Sequence, residues 1–184
     1  MQPEPSNSIR NAVREYAHRD RMTFFNLREQ SGFLRNLLIR NTLSGDVMVI
    51  VVFFYDDRER REGLLDFLIS EFPRITSLFY VINSKKNDSL GDQEPVLYHG
   101  QDHLLEEMDG LRFRIGPKSF YQTNTRQARV LYRIVREFAS LTGSEVVYDL
   151  YTGTGTIASY LAGDSGKVVG MEYVREAVED AVIN

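Results

Sequence analysis

The sequence predicts an α/β protein in which an α+β unit of mainly antiparallel strands precedes the first half of a Rossmann-like domain. Residues 33–115 contain short β-branched and aromatic runs between turn residues. Residues 145–172 instead give a strand, a Gly-rich loop, a helix and a second strand, an order typical of parallel strands. We therefore expect a polar, helical segment at residues 1–30, the α+β unit at residues 31–115, and an incomplete Rossmann-like unit at residues 116–184.

Composition excludes several classes of protein. Hydrophobic residues make up 42% of the chain and aromatic residues 11%, enough to build a packed core. With no cysteine, these residues hold no disulfide, thiolate nucleophile or iron–sulfur cluster. His18, His99 and His103 lack the spacing of metal ligands, so no metal site is predicted. No apolar run is long enough to cross a membrane, and no signal peptide is recognisable, so we expect a cytoplasmic location and no membrane partner.

The first elements follow from local pattern. Residues 9–19 predict a helix. Residues 33–40 predict a strand, and residues 47–55 form a continuous β-branched and aromatic run that indicates a buried strand. The turn residues at 44–46 join the two strands, which predicts a hairpin.

A helix and four strands are predicted next. Asp56 or Asp57 offers an N-cap, Pro73 ends the helix, and apolar residues recur between them at helical spacing: Leu64, Leu65, Leu68, Ile69 and Phe72. A third strand follows at 75–83, and the polar residues 84–95 predict a loop. Three short strands are then predicted, with Asp109-Gly110 as the tight turn between the last two: 96–99, 103–107 and 111–115.

The period changes after residue 117. Asn124 and Gln127 have the spacing of a capping box, and the apolar positions of the following helix predict a buried face of Ala128, Leu131, Val135 and Phe138. The remaining elements alternate in the β-α-β-α order of a doubly wound sheet: strand 145–149, loop 150–155, helix 156–162, loop 163–166, strand 167–172 and a helix from 174.

The Gly-rich loop and two acids predict a nucleoside-cofactor site. Gly153 and Gly155 lie where a strand ends and a helix begins, so the backbone there can approach a ligand closely. Asp149 lies at the tip of that strand, four residues before Gly153. Glu172 ends the second strand, where its carboxylate could accept hydrogen bonds from both ribose hydroxyls.

Two cofactor classes fit this loop. Residues 153–158 match G-x-G-x-x-A, the dinucleotide fingerprint. A carboxylate beside a pyrophosphate would repel it, however, whereas Asp149 could orient the loop and engage the amino acid end of S-adenosylmethionine. The long helix before the first parallel strand also suits a methyltransferase. We therefore favour S-adenosylmethionine, and a dinucleotide or a Rossmann-like unit without ligand stays open.

Positive charge is concentrated between residues 111 and 148 of a chain whose net charge is −4. Two acids stand there against seven basic residues: Arg112, Arg114, Lys118, Arg126, Arg129, Arg133 and Arg136. This pattern indicates either a solvated helix face or a surface that faces phosphates.

Residues 111–124, LRFRIGPKSFYQTN, resemble the F-x-Q-x-N segment of the RNA uracil-C5 methyltransferases, which make 5-methyluridine in ribosomal and transfer RNA. The D-L-Y-T-G-T-G-T stretch at 149–156, its distance from Gln122 and Glu172, and the Gly-Phe-Leu-Arg at 32–35 resemble the same family. The resemblance covers roughly residues 31–184 and implies a class I methyltransferase domain that binds S-adenosylmethionine.

The resemblance also implies roles for single residues. Gln122 would contact the cofactor near the methyl donor, Tyr151 and Thr156 would line its pocket, and Glu172 would bind its ribose. An aromatic ring beside a sulfonium gives a favourable cation–π contact. The predicted cofactor set is completed by Asp149, Gly153 and Gly155. Five basic residues would face RNA, ribosomal before transfer RNA: Arg112, Lys118, Arg126, Arg129 and Arg133.

The resemblance implies chemistry that this chain lacks. Members of the family add a cysteine thiolate to C6 of uracil, and a base later removes the C5 proton. We expect both groups beyond Asn184, so no catalytic residue is predicted here. The chain is expected to be an inactive fragment that self-associates through an open sheet edge. An RNA-binding module without catalysis and an NAD(P)-dependent oxidoreductase fragment are the alternatives.

Overall fold

The computed structural model describes residues 4–184, which form two compact units. The first unit contains the residues up to Asn41 together with Gly45–Leu104. The second combines Thr42–Ser44 with Leu105–Asn184. Across the described part of the chain, no helix has the length and apolar character needed to span a membrane.

The first unit contains a four-stranded sheet of order β1-β2-β3-β4 and two helices. The bounds are α1 Ser6–Arg19, β1 Leu34–Asn41, β2 Val47–Phe53, α2 Arg58–Glu71, β3 Ser77–Ile82 and β4 Val96–Gly100. The pairs β1–β2 and β3–β4 are antiparallel. The predicted hairpin is therefore confirmed, and all seven residues of β2 are buried, as its continuous apolar run predicts.

The central pair, β2 and β3, is parallel, although the sequence predicts mainly antiparallel strands in this unit. Because α2 connects the two strands, the chain crosses back over the sheet and β3 starts at the same end as β2. Asp57 begins that helix, since its Oδ1 accepts a hydrogen bond from the backbone N–H of Arg60 at 3.2 Å. The first unit is therefore a β-α-β element flanked by two antiparallel strands.

The N-terminal helix belongs to the first unit, where residues 1–30 were expected to form a separate segment. Ile9, Val13 and Ala17 on α1 are buried in the same core cluster as strand β2 and helix α2. Their spacing places them on one face of the helix. That face covers the sheet, so the helix is part of the core although most of its residues are polar.

The second unit contains two small sheets and three helices, and its β-α-β-α order confirms the predicted Rossmann-like pattern. Its bounds are β5 Leu104–Met108, β6 Leu111–Ile115, α3 Thr125–Ala139, β7 Val146–Leu150, α4 Thr156–Ala162, β8 Lys167–Met171 and α5 Arg175–Ile183. Strands β7 and β8 are parallel, with Asp149 opposite Gly170. Strand β5 pairs with β6.

The boundary between the units differs from the expected one at residue 115. The β5–β6 hairpin packs within the second unit, where Met108 and Phe113 share a core cluster with Ala128, Tyr132 and Tyr160. Its turn is the predicted one. Asp109 and Gly110 both have positive φ, 51° and 86°, as a two-residue hairpin turn of type I′ requires. The sequence predicts the hairpin from local residues, but the helices against which it packs come later in the chain, so the local pattern does not show which unit the hairpin joins.

The buried face of α3 is also different from the predicted one. Thr125, Ala128 and Tyr132 are buried, whereas Leu131 is 48% exposed and Phe138 is 85% exposed. Thr125 and Tyr132 did not belong to the predicted face, yet their side chains complete the buried stripe together with Ala128. The predicted apolar face therefore lies largely on the exposed side of the helix.

Candidate cofactor site

The Gly-rich loop leaves strand β7 through backbone conformations that favour glycine. Gly153 and Gly155 have φ of +57° and +75°. A Cβ on Gly153 would meet nothing within 4 Å, whereas one on Gly155 would lie 3.2 Å from Cβ of Ala181 on α5. Gly155 is therefore required twice, for its left-handed conformation and for the close approach of α5. Gly153 is required for its conformation alone.

Asp149 ties the tip of β7 to the loop and to helix α4. Its Oδ2 accepts hydrogen bonds from the hydroxyl of Thr152 at 2.7 Å and from the backbone N–H of Ala158 at 3.0 Å. Its Oδ1 accepts none from residues 4–184. One oxygen thus holds the loop in place, and the other has unused acceptor capacity. Thr152 was not singled out from the sequence, although its hydroxyl is what joins the acid to the loop.

Glu172 is held by three backbone N–H groups. Its Oε1 accepts from Tyr173 at 2.8 Å and from Val174 at 3.0 Å, and its Oε2 accepts from Gly153 at 3.0 Å. The hydrogen bond from Val174, supported by the other two, lowers the pKa of the Glu172 carboxyl below its usual value. The group is therefore ionised at neutral pH. Oε2 has one donor only, so a further hydroxyl could bind it.

The two acids lie at the same end of adjacent strands. Because β7 and β8 run parallel, Leu150 faces Met171 and both strands end beside the loop. The loop is fastened to this edge, since the backbone N–H of Thr152 donates to the carbonyl of Met171 at 3.0 Å. Ligands of open parallel sheets bind at this carboxyl edge.

Tyr151 and Thr156 point in different directions. Tyr151 has a positive φ of 64° and is 84% exposed, so its ring is not part of the core. Thr156 is 8% exposed, and its hydroxyl lies 3.2 Å from that of Thr154. Helix α4 is capped by Gly155 without a side-chain hydrogen bond. The threonine hydroxyl therefore faces inward and does not cap the helix.

In the segment before α3, Asn124 stabilises the fold, whereas the side-chain amide of Gln122 is available for a ligand. Asn124 caps α3, because its Oδ1 accepts from the backbone N–H of Gln127 at 3.2 Å. Gln122 is half-buried, and its amide makes no hydrogen bond within residues 4–184. Beside it, the buried hydroxyl of Tyr121 also lacks a partner, and burial raises the pKa of this phenol. Tyr121 was not among the predicted site residues, although it stands inside the F-x-Q-x-N segment.

The basic residues predicted to face RNA fall into two groups. Arg129 and Arg133 both pair with Asp109, the latter at 3.4 Å, and the Tyr160 hydroxyl donates to the same carboxylate at 2.8 Å. Arg129, followed by Tyr160 and Arg133, lowers the pKa of Asp109 to about 2. This carboxylate therefore stays ionised and neutralises part of the positive charge of α3.

The other basic residues differ in their partners. Lys118 pairs with Glu176 at 3.1 Å. Arg112 and Arg126 are exposed, and neither has an ion pair in the described part of the chain. Two of the five predicted residues thus keep an uncompensated charge. No cluster that could hold a metal ion is found among the described residues.

Comparison with known proteins gives one consistent relationship. No protein-family model matches the chain. An uncharacterized RNA methyltransferase of Porphyromonas gingivalis is 60% identical over 97% of this chain and 39% of its own length. One from Bacteroides thetaiotaomicron is 54% identical over 100% of this chain and 41% of its own length. The chain thus spans about two fifths of these curated relatives.

A solved structure agrees with both the fold and the sequence relationship. The tRNA (uracil-54, C5)-methyltransferase of Pyrococcus abyssi, solved with S-adenosyl-L-homocysteine, matches with a TM-score of 0.74 and 29% identity. The match covers 94% of this chain and 40% of that protein. Trm5b of the same organism shares only the fold, with a TM-score of 0.51 and 13% identity. The α/β fold class is therefore confirmed.

Proposed function

We propose that the chain is part of an S-adenosylmethionine-dependent enzyme that methylates C5 of uridine in RNA. The reason is that nearly the whole chain matches one portion of each related RNA methyltransferase. Within that enzyme, this chain would supply one side of the cofactor site. Ribosomal RNA is the substrate that we expect first. Transfer RNA is the second candidate, favoured by the similarity to the Pyrococcus abyssi protein.

The single observation that carries the proposal is the clamp between Glu172 and the Gly-rich loop. The carboxylate accepts the backbone N–H of Gly153 and is kept ionised by that bond and two others. An ionised acceptor fixed at a strand end can bind a ribose hydroxyl without moving. The clamp also holds the Gly-rich loop, whose glycines have no Cβ atoms to keep a ligand away from the backbone. Glu172 would therefore position the ribose and the loop backbone for the same cofactor.

The position of Asp149 favours S-adenosylmethionine over a dinucleotide. Its carboxylate accepts a backbone N–H from the first turn of α4, at the place where a dinucleotide would set its pyrophosphate. Like charges would repel there. S-adenosylmethionine carries sulfonium and ammonium cations, which a carboxylate at this position would attract. The exposed ring of Tyr151 and the unpaired amide of Gln122 are further groups that could contact it.

The methylation step itself needs groups from outside this chain. S-adenosylmethionine, when bound, supplies the methyl group, but C5 of uracil is too poor a nucleophile to accept it unaided. A thiolate added to C6 would make C5 nucleophilic, and loss of the C5 proton to a base would then release the thiolate. No cysteine is present in the 184 residues. We therefore propose that these residues bind cofactor and RNA and do not methylate RNA by themselves.

Calorimetric titration with S-adenosylhomocysteine tests the cofactor class, with NADH as the comparison ligand. We expect heat of binding for S-adenosylhomocysteine and none for NADH. Binding of NADH alone would contradict the proposal and favour an oxidoreductase. If neither ligand binds, the same titration on the longer relative from Porphyromonas gingivalis decides whether the missing contacts lie outside this chain.

A further inference from the structure

A pocket of about 470 Å³ lies in the first unit, far along the sequence from the Gly-rich loop. Helix α1 and strands β1 and β2 form its walls, with Val13, Leu37 and Val51 among the lining side chains. Its volume falls in the range of small-molecule sites. The apolar walls suit a flat, uncharged group that is removed from water.

The mouth of this pocket carries positive charge. Arg10 and Arg14 line it from successive turns of α1, and both are exposed. Neither has an ion pair within residues 4–184, and Arg10 donates only to the amide oxygen of the adjacent Asn11 at 3.4 Å. No acidic residue lines the pocket. Two uncompensated cations therefore stand together on a chain whose net charge is −4.

A third arginine at the pocket is already engaged. Arg35 pairs with Asp88 at 3.0 Å and donates to the carbonyls of Asn83, Lys85 and Asn87. Its guanidinium also lies over the ring of Phe25, 4.3 Å from the centroid. Arg35 therefore fixes the loop after β3 and presents little free charge, which leaves Arg10 and Arg14 as the groups that could bind an anion.

An aromatic surface completes the pocket. The ring of Phe24 is 46% exposed although it lines an apolar cavity. The imidazole of His18 stands edge-on to it, with 5.5 Å between the ring centroids. An exposed ring beside an apolar cavity and cations is the combination that binds single-stranded RNA, where bases stack on aromatic side chains and phosphates meet arginines.

We propose that this pocket binds one unpaired nucleotide of the RNA substrate. The base enters the cavity against Phe24, and the flanking phosphates lie at Arg10 and Arg14. The site would hold RNA at a point separate from the cofactor loop, so that one nucleotide is anchored while another is modified. The proposal rests on the proposed function only in taking RNA as the ligand.

Fluorescence anisotropy with a labelled single-stranded RNA of about ten nucleotides tests the pocket. The double variant Arg10→Glu/Arg14→Glu should weaken RNA binding by about tenfold or more. The slope of log K against log salt should also become less negative by about 1.4, because two phosphate contacts are lost. The matched control is Arg28→Glu/Arg74→Glu, which makes the same charge change on exposed residues outside the pocket lining. The control should bind RNA as the unmodified chain does.

A second variant separates a nucleotide site from a simple anion site. Phe24→Ala removes the stacking surface and should weaken RNA binding by about tenfold, while binding of inorganic polyphosphate stays unchanged. Circular dichroism confirms that each variant is folded. Equal RNA affinity in the double variant and its control would overturn the proposal. Loss of polyphosphate binding in Phe24→Ala would also overturn it. A third contrary result would be that polyglutamate displaces the labelled RNA as effectively as unlabelled RNA does.

The failure of this proposal can be told apart from a failure of the proposed function. Titration of the same variants with S-adenosylhomocysteine should give unchanged affinity, since the pocket and the Gly-rich loop belong to different units. Unchanged RNA binding in both pocket variants contradicts the nucleotide site even if S-adenosylhomocysteine binds. Binding of NADH alone contradicts the methyltransferase even if the pocket variants lose RNA.

Discussion

At the residue scale, one carboxylate joins two elements of the candidate cofactor site. Glu172 stands at the end of β8, yet it accepts a hydrogen bond from the loop after β7. A charge-assisted hydrogen bond of this kind is stronger than one between neutral groups. The carboxylate therefore has two tasks in the proposed site, which are to hold the loop and to accept the ribose hydroxyl.

Glu172→Gln should weaken binding of S-adenosylhomocysteine by about tenfold or more, because the amide loses the charge that strengthens each hydrogen bond. Calorimetry measures the change. The control is Glu137→Gln, the same substitution at an exposed position of α3. Unaltered affinity in Glu172→Gln would refute the ribose role.

The two glycines of the loop predict unequal costs of substitution. Gly155→Ala should lower the free energy of unfolding by about 1–2 kcal/mol, because alanine is strained in the left-handed conformation of this residue. It should lower it further because the new Cβ would lie 3.2 Å from Cβ of Ala181. Gly153→Ala has only the backbone cost, since the space around it is open. Urea denaturation measures both values. A larger loss in Gly153→Ala would show that the contact with α5 is unimportant.

At the scale of elements, the turn between α3 and β7 is organised by one acid. The carboxylate of Glu145 accepts hydrogen bonds from the backbone and hydroxyl of Thr142 and from the backbone N–H groups of Gly143 and Ser144. The bonds from Thr142 are the main cause that lowers the pKa of Glu145 to about 2. The turn thus depends on the ionised form of this residue.

This pKa predicts how stability changes with pH. The pKa of Glu145 is lower in the folded state than in the unfolded state, so its contribution is complete above its usual value of 4.5 and is lost as the pH falls towards about 2. Asp109 adds a loss in the same direction, from 3.8 towards about 2. Thermal unfolding between these pH values should show a falling Tm. Glu145→Gln should flatten the slope, and an unchanged slope would contradict the assignment.

The exposed arginines of α3 are expected to contribute unequally to RNA binding. Arg126 has no ion pair within residues 4–184, whereas Arg133 pairs with Asp109 at 3.4 Å. In RNA titrations at several salt concentrations, Arg126→Gln should make the slope of log K against log salt less negative by about 0.7. Arg133→Gln, the matched control on the same helix, should change it less. Equal effects would indicate that Asp109 releases its arginines when RNA binds.

At the scale of the whole molecule, one face of β7 is exposed although it is apolar. Val146, Tyr148 and Leu150 alternate along the strand and are 52%, 60% and 59% exposed. Alternate residues of a strand share one face of the sheet. Contiguous exposed apolar surface is typical of faces that associate with another polypeptide.

The sequence predicts self-association through an open sheet edge, and the exposed face of β7 adds a second surface for it. We therefore propose that the chain self-associates through this face, with a sedimentation coefficient that rises with concentration. Val146→Lys/Tyr148→Lys should abolish the concentration dependence, because it places two charges on the face. The control, Leu27→Lys/Leu43→Lys, adds the same charges at residues that are also exposed, 62% and 55%. A monomer at all concentrations, or equal effects of both variants, would contradict the expectation.

Local patterns in the sequence determined much of this protein. The β-α-β order, the capping residue Asn124, the Asp109-Gly110 turn and the acids at the strand ends all depend on short-range periods and hydrogen bonds. These features are visible within a few residues of each other. They were sufficient to predict the Rossmann-like unit, and they indicated Asp149, Gly153, Gly155 and Glu172 as candidate cofactor residues. The roles of Gln122, Tyr151 and Thr156 follow from the family resemblance, and all of these roles stay predictions.

Only the tertiary structure decided which surfaces meet. It paired β2 with β3 in parallel, joined the β5–β6 hairpin to α3 and α4, buried Tyr132 in place of Leu131, and brought Asp109 against two arginines. Each of these contacts links elements that are distant in sequence, so no local period records it. Burial and charge compensation depend on such contacts, because the neighbours that the fold supplies decide whether a side chain is buried, exposed or neutralised.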